Sequence, residues 1–388
     1  MRLLRIRQRD LPITSPGANS VVDFRGLTTS VVAVDSDRAA GGRRLTGYGF
    51  GSIGRWSVGG LLDDRFIPRV MAAQDAGGLL DEGGLIDPFR CWAAAMANEK
   101  PGGHGERATA LGALDMALWD LRSKAEGVPL WRLLADRFNG GAADGRVEVY
   151  AAGGYYRPGT DVQALVDELR TYLDQGYTAV KIKIGGAPLA EDMRRIEAAI
   201  RTVGRADRVA VDANGRFDLP AALAYAEALA PLGLRWLEEA GDPLDYRLQA
   251  VLAERYAPPL ATGENLFSSQ DALNLLRYGG MRPDRDLLQF DCGLSYGLPD
   301  YLRTLDHLSR HGWSRRSVHP HGGHQMSLNL AAGLGLGGNE SYPGVFQPLG
   351  GFADDIRVEN GTVAMPDTPG VGLERKSALW RWLQTEMT

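Results

Sequence analysis

The first fifty residues alternate polar and apolar positions in short runs, as in LTTSVVAVDSD and RLTGYGFG, with Gly and Asp between them. A period of two with turn residues at the breaks predicts antiparallel strands. From Glu106 the period changes. Leu111, Leu114, Leu118, Leu121 and Ala125 form a helical stripe, closed by Gly127 and Pro129. An α+β segment over residues 1–135 is expected.

Beyond Arg146 short apolar runs alternate with helix-length segments. VEVYAA and TAVKIKI bracket a helix with Val162, Leu165, Val166, Leu169 and Leu173 on one face, ended by Gly176. Further strands are expected at 208–212, 234–238, 258–264, 286–291 and 316–319, with a shorter last strand near 338–341. Strands separated by helices imply a parallel sheet, and such a set closes a barrel of ~8 strands, for which ~250 residues are typical. The tail IRVENGTVAMPDTPG reads as a hairpin turning at Asn360-Gly361, with a helix from about Lys376.

Four acids stand at a nearly constant interval, each just after one of those apolar runs. Asp212, Glu238, Glu264 and Asp291 are separated by 26, 26 and 27 residues. Lys181 and Lys183 lie in the preceding strand, and His321 follows the next one, after RRSVHP. Barrel chemistry sits at the C-terminal ends of the strands, so all of these side chains face one mouth. Side chains alternate along a strand, so Lys181 and Lys183 point the same way.

Three carboxylates on adjacent strands, Asp212, Glu238 and Glu264, repel one another and need a counterion. All-oxygen ligation favours Mg²⁺ or a similar hard cation. The bland alternative is that each acid caps the helix after it; three in register with a lysine pair fit that poorly. A lysine beside another cation and a metal is expected to have a lowered pKa, toward ~7 to 8, and to act as a base. Lys183, nearer the strand end, is the expected base, with Lys181 one pleat deeper tuning it. His321 and Asp291 read as a proton-transferring pair, although spacing alone leaves a structural histidine open. His319 and His324 stand nearby without an assigned role. Gly333, Gly335 and Gly338 match G-x-G-x-x-G, but no strand precedes them, so a dinucleotide site is not expected.

Composition removes several classes. Over 388 residues the net charge is −5, the pI is near 5.8 and 23% of residues are charged. No basic tract invites nucleic acid. Cys91 and Cys292 offer neither a disulfide framework nor a thiolate metal site, which fits a reducing cytoplasm. The basic start MRLLRIRQRD is followed by no apolar run, and no stretch approaches the ~20 apolar residues of a membrane span. A cytoplasmic protein with neither membrane nor nucleic-acid partner is expected. A metal-independent glycosidase built on paired carboxylates is a rival that the lysine pair disfavours. A non-catalytic scaffold on the same fold is another.

Lys-x-Lys, then an Asp, two Glu on successive strands, and an Asp with a His, together resemble the enolase superfamily, in its mandelate racemase-like branch. The likeness covers nearly the whole chain, including ALDMALWDLRSKAEGVPLWRLL, VDANGRF, ATGEN and VAMPDTPGVG. It implies a TIM-type (β/α)7β barrel at 136–355, an α+β N-terminal capping domain at 1–135, and a C-terminal segment, 356–388, that returns to the capping domain. Loops at 15–24 and 48–56 are expected to close over the mouth. NEKPGGHGER, AAGGYY, EEAGDPLDY and HGGHQMSLNLAAGLGLGGNESYP further resemble D-tartrate dehydratases of that branch. That implies one Mg²⁺ per site on Asp212, Glu238 and Glu264, a small dicarboxylic hydroxy acid as substrate, and a homo-oligomer. Lys183 would take the α-proton, and His321, held by Asp291, would protonate the departing β-hydroxyl to give oxaloacetate. Another sugar-acid dehydratase or racemase of the branch is the alternative. Asn214 and a protonated Glu340 are implied substrate contacts. Lys100, ahead of His104 and Arg107, is the favoured cation for the far carboxylate, against the plain reading of a solvated basic loop. The usual Glu-Glu-Pro is Glu238-Glu239-Ala240 here, which leaves Glu238 as the expected ligand and Glu239 as a supporting acid.

Overall fold

The computed structural model describes every residue except Pro16, Pro158, Thr160, Asp161 and Thr388. Three antiparallel strands, β1 (Leu3–Pro12), β2 (Thr28–Ala40) and β3 (Arg43–Phe50), form the first sheet in sequence order. Both faces of β2 are covered: Val32 and Val34 join one core with Leu111 and Leu114, while Val31 and Ala33 join the core that continues into the barrel.

The helix Glu106–Glu126 links the two cores, and it departs from the expected stripe. It is buried all round from Ala108 to Ser123, because the sheet covers one side and the barrel the other. Glycines permit the close approach. A Cβ on Gly47 would lie 2.1 Å from the Ala117 carbonyl oxygen, and one on Gly112 2.5 Å from that of Gly293.

Six parallel strands follow in order: β4 (Arg146–Gly153), β5 (Val180–Lys183), β6 (Val209–Asp212), β7 (Leu237–Glu238), β8 (Leu260–Thr262) and β9 (Leu287–Leu288). β10 (Asn339–Ser341) pairs in parallel with β4 and closes the ring. The strand expected at 316–319 is reduced to one bridge, Val318 to Leu288, after a turn at Arg315–Ser317. Pro320 has no N–H with which to extend that ladder.

The chain end divides in a way the sequence did not announce. β11 (Val358–Glu359) and β12 (Thr362–Ala364) form the expected hairpin, with Asn360 and Gly361 at φ 51° and 71°. β12 pairs with barrel strand β4, not with the first sheet. The chain beyond it reaches the N-terminal segment: Leu130 N–H donates to Gly370 O at 2.9 Å, and the Trp380 ring stands 6.1 Å from that of Tyr48. The last helix spans Ser377–Glu386. No helix among the described residues is long and apolar enough to cross a membrane.

Candidate active site

Parallel register delivers the charged residues to one place. Lys183 and Asp212 are direct partners across β5 and β6, as are Asp212 and Glu238 across β6 and β7. Glu264 follows β8 by two residues, after Gly263 at φ 128°, a conformation that favours glycine. Oxygens of Asp212, Glu238 and Glu264 all lie within 4.8 Å of one another, and all three residues are buried.

The electrostatics of this group are severe. Burial pushes the Glu238 carboxyl up to about 8, and the neighbouring Asp212 charge adds to this, against the pull of Lys181. Asp212 goes the other way, to about 2, because Lys183 and Lys181 outweigh its burial. Lys183 Nζ donates to Asp212 Oδ2 at 2.5 Å, and Lys181 donates to Glu238 Oε1 and lies 2.7 Å from Glu340 Oε1. Both ammonium groups are therefore held above the usual lysine range by carboxylates that outweigh burial; the lowered pKa expected from the sequence presupposes a metal on those same carboxylates. Lys181 is bound into the carboxylate cluster itself. Glu264 Oε2 is buried with no hydrogen-bond partner. An orphaned anionic oxygen beside two crowded carboxylates fits a divalent cation, which would satisfy all three.

Glu340, expected to act protonated, is instead kept below the usual carboxyl range: Lys181, His321 and Lys183 overcome its burial. Its Oε2 accepts from Gly322 N–H at 3.2 Å. His321 Nδ1 lies 2.8 Å from Asp291 Oδ2, and its Nε2 lies 3.8 Å from Glu264 Oε2. Burial lowers the imidazole, but Glu264, Asp291 and Glu340 together push it up to about 10. These carboxylates favour the charged form of the ring.

Beneath the carboxylates lies a layer that sequence reading missed. Glu238 Oε2 accepts from Trp236 Nε1 at 2.8 Å and from Gln289 Nε2 at 2.7 Å. Tyr150 packs edge-on to Trp236, and His319 sits 6.0 Å from the Trp236 ring. The signal was present in strand parity: Trp236 precedes Glu238 by two, and Gln289 precedes Asp291 by two, so each shares its partner's face. Glu239, at φ 39°, points back to the rim, where its Oε2 accepts from Asn265 at 2.8 Å.

Lys183, Glu264 and His321 line a cavity of about 810 Å³ together with Asn214, Tyr155 and Tyr342. Both expected loops contribute to it, through Asn19, Val22 and Phe24 and through Ile53, Gly54 and Arg55; Pro16, within the first loop, lies outside the described residues. Lys100 is exposed and absent from the lining. Arg107 is taken up by Glu99 and by the Tyr296 hydroxyl, whereas His104 faces the cavity with its Nδ1 3.0 Å from that hydroxyl. Arg55 is the cation overlooked in the sequence. It lines the cavity, donates to Asn265 Oδ1 at 2.5 Å and stacks 4.6 Å over Phe267, both neutral partners.

The "Enolase C-terminal domain-like" family matches residues 164–379, and the "Mandelate racemase / muconate lactonizing enzyme, N-terminal domain" family matches residues 87–135. The chain belongs to the enolase superfamily, in its mandelate racemase-like branch. Within it, the chain is 31% identical to the 3,6-anhydro-alpha-L-galactonate cycloisomerase of Streptomyces coelicolor, over 70% of this chain and 71% of that protein. It is 28% identical to the L-talarate/galactarate dehydratase of Salmonella typhimurium, over 76% of this chain and 69% of that one. The solved L-talarate dehydratase of Polaromonas sp. JS666, complexed with Mg and L-glucarate, superposes with a TM-score of 0.72 at 25% identity and 97% coverage of both chains. The barrel with its β-rich cap is thus the architecture of these superfamily enzymes.

Proposed function

We propose that this enolase-superfamily chain is a Mg²⁺-dependent hydro-lyase that dehydrates a sugar acid, with D-tartrate as the substrate and oxaloacetate as the product. The observation that carries the reading is that Lys183, His321 and Glu264 line one cavity, with Asp291 bonded to His321 and with Asp212 and Glu238 grouped beside Glu264. Named relatives that act as dehydratases on acids of this class support the reaction type. The sequence words that resemble D-tartrate dehydratases support the substrate.

The chemistry divides between two sides of the cavity. Asp212, Glu238 and Glu264 would hold a divalent cation, which would supply electrostatic stabilisation of the charge that develops on the substrate carboxylate as the α-proton leaves. Lys183 accepts that proton once its ammonium has released its own. His321, charged and oriented by Asp291, delivers a proton to the β-hydroxyl, so the carbon–oxygen bond breaks with water as the leaving group. The resulting enol takes up a proton at the former β-carbon and becomes the 2-keto acid. Lys181 holds Glu238 and Glu340 in position throughout. The far carboxylate of a diacid is given to Arg55, with His104 as a second donor, in place of Lys100.

The alternative kept is a longer aldaric acid, favoured by the cavity volume and by the talarate/galactarate relative. One screen separates them. D-, L- and meso-tartrate, galactarate and arabinonate are incubated with the protein and Mg²⁺, and 2-keto acid is measured with and without EDTA. D-tartrate is expected to give EDTA-sensitive product. Product from galactarate alone would replace the substrate and keep the mechanism, and EDTA-insensitive turnover would remove the metal from it.

A further inference from the structure

His321 is oriented by Asp291, and Asp291 is itself held by a residue from the other domain. Ser52 follows strand β3 of the first sheet and is completely buried. Its Oγ lies 2.5 Å from Asp291 Oδ2, the same oxygen that accepts from His321 Nδ1, and 3.2 Å from His324 Nε2. Asp291 Oδ1 accepts from Gly293 N–H at 2.7 Å, so the carboxylate has no freedom to turn.

The direction of this chain of hydrogen bonds follows from one backbone group. Ser327 N–H donates to His324 Nδ1 at 3.2 Å, which makes His324 the N-cap of the helix Gln325–Leu334. A neutral imidazole that accepts at Nδ1 carries its proton on Nε2 and donates there. Burial holds His324 down at about 4, so the neutral form is the one present. His324 Nε2–H therefore donates to Ser52 Oγ, and the single hydroxyl proton of Ser52 goes to Asp291.

Space for the arrangement is reserved by glycine. A Cβ on Gly322, which is at φ 111°, would lie 2.7 Å from His324 Nε2, 3.0 Å from Ser52 Oγ and 3.1 Å from Asp291 Oδ2. Any side chain there would wedge apart all three atoms. Gly293 likewise leaves room for the Ser52 Cβ, 3.0 Å from where its own would stand. Phe50 of β3 closes the group from outside, its ring 4.8 Å from that of His324.

We infer that Ser52 is a positioning residue for the His321–Asp291 pair, aligned by His324 and supplied by the capping sheet, so that the proton donor is complete only when cap and barrel are seated together. The kinetic part of this inference rests on the reading of His321 as the acid of the dehydration. The structural part does not, and can be measured separately.

In the full-length protein, the His321 Nδ1 proton is observed by imidazole NMR and assigned by its loss in His321→Asn. Ser52→Ala removes a competing donor from Asp291 Oδ2 and is expected to move that signal downfield. With D-tartrate and Mg²⁺ the same variant should lose about tenfold in kcat, short of the ~10²-fold or more that a proton donor itself contributes, with KM and α-proton exchange into D₂O unchanged. Retained exchange shows that the site is folded. His324→Asn keeps an N-cap acceptor but loses the reach to Ser52; it should move the signal the same way, and the double variant should be no worse than Ser52→Ala. An unmoved signal, a dehydration rate equal to the parent's, or additive losses in the double variant would overturn the inference. If the parent does not turn over D-tartrate, the substrate reading fails, and the NMR comparison alone decides the role of Ser52.

Discussion

Lys181 and Lys183 differ by one pleat, and that step separates their chemistry. Lys181 is completely buried among Glu238, Glu340 and Asp212, whereas Lys183 reaches the cavity, paired with Asp212 and 5.3 Å over the Tyr155 ring. A base must meet its substrate, so the roles follow from access and not from basicity. Lys183→Ala is expected to abolish α-proton exchange into D₂O and to lower turnover by ~10²-fold or more, with Mg²⁺ affinity retained. His321→Asn should stop dehydration while leaving slow exchange through Lys183. Full exchange in the first variant, or full dehydration in the second, would sink the corresponding assignment. The lysine step was legible because β-parity is a local rule. The ionisation of the pair was not, since it depends on which carboxylates the barrel brings within reach.

At the scale of elements the constant spacing of the acids was the most legible feature of the chain. Strand, helix and loop together span nearly the same length in each of these units, so a residue just after each strand returns to the same rim. Spacing could not show how little strand is needed. β7 and β9 have only two paired residues each, and the strand before His321 is a single bridge. Helix cover, which packs on Leu288, and interior side chains such as Trp236 and Tyr150 supply what those short ladders lack. The helix Glu106–Glu126 shows the opposite failure. Its five spaced residues marked a helix, but Ala113 and Ala117 carry no amphipathic signal, and they are where Gly47 and Gly49 of the first sheet pack against it. Contacts between distant segments, including Ser52 with Asp291 and Arg55 with Asn265, leave no periodic trace in either partner.

For the whole molecule, ionisation couples to folding in two ways. His319 is buried under the carboxylates, and that burial, with Arg235 nearby, lowers its pKa to about 3. In the unfolded chain it titrates near ~6.5. Between those values the unfolded state holds a proton that the folded state lacks, so stability falls as pH drops through that window and gains nothing above it. His319→Asn should flatten the dependence of urea stability on pH between 6.5 and 4; an unchanged slope would show that other groups carry it. The second coupling is to the metal. Three crowded carboxylates oppose the folded state through burial and mutual repulsion, and a divalent cation binds only where the fold has brought them together. Binding to the native state alone stabilises it by RT ln(1 + [L]/Kd), about 2.7 kcal/mol at a hundredfold excess over Kd. Mg²⁺ should therefore raise Tm progressively with concentration, and EDTA should reverse the rise. Glu264→Gln is the decisive control, because it removes one ligand at the cavity edge while leaving the Lys181 and Lys183 contacts intact. It should lose most of the Mg²⁺-dependent rise without lowering the Tm measured in EDTA. The same rise in both proteins would mean that Mg²⁺ acts elsewhere on this acidic molecule, and the three carboxylates would then need another explanation.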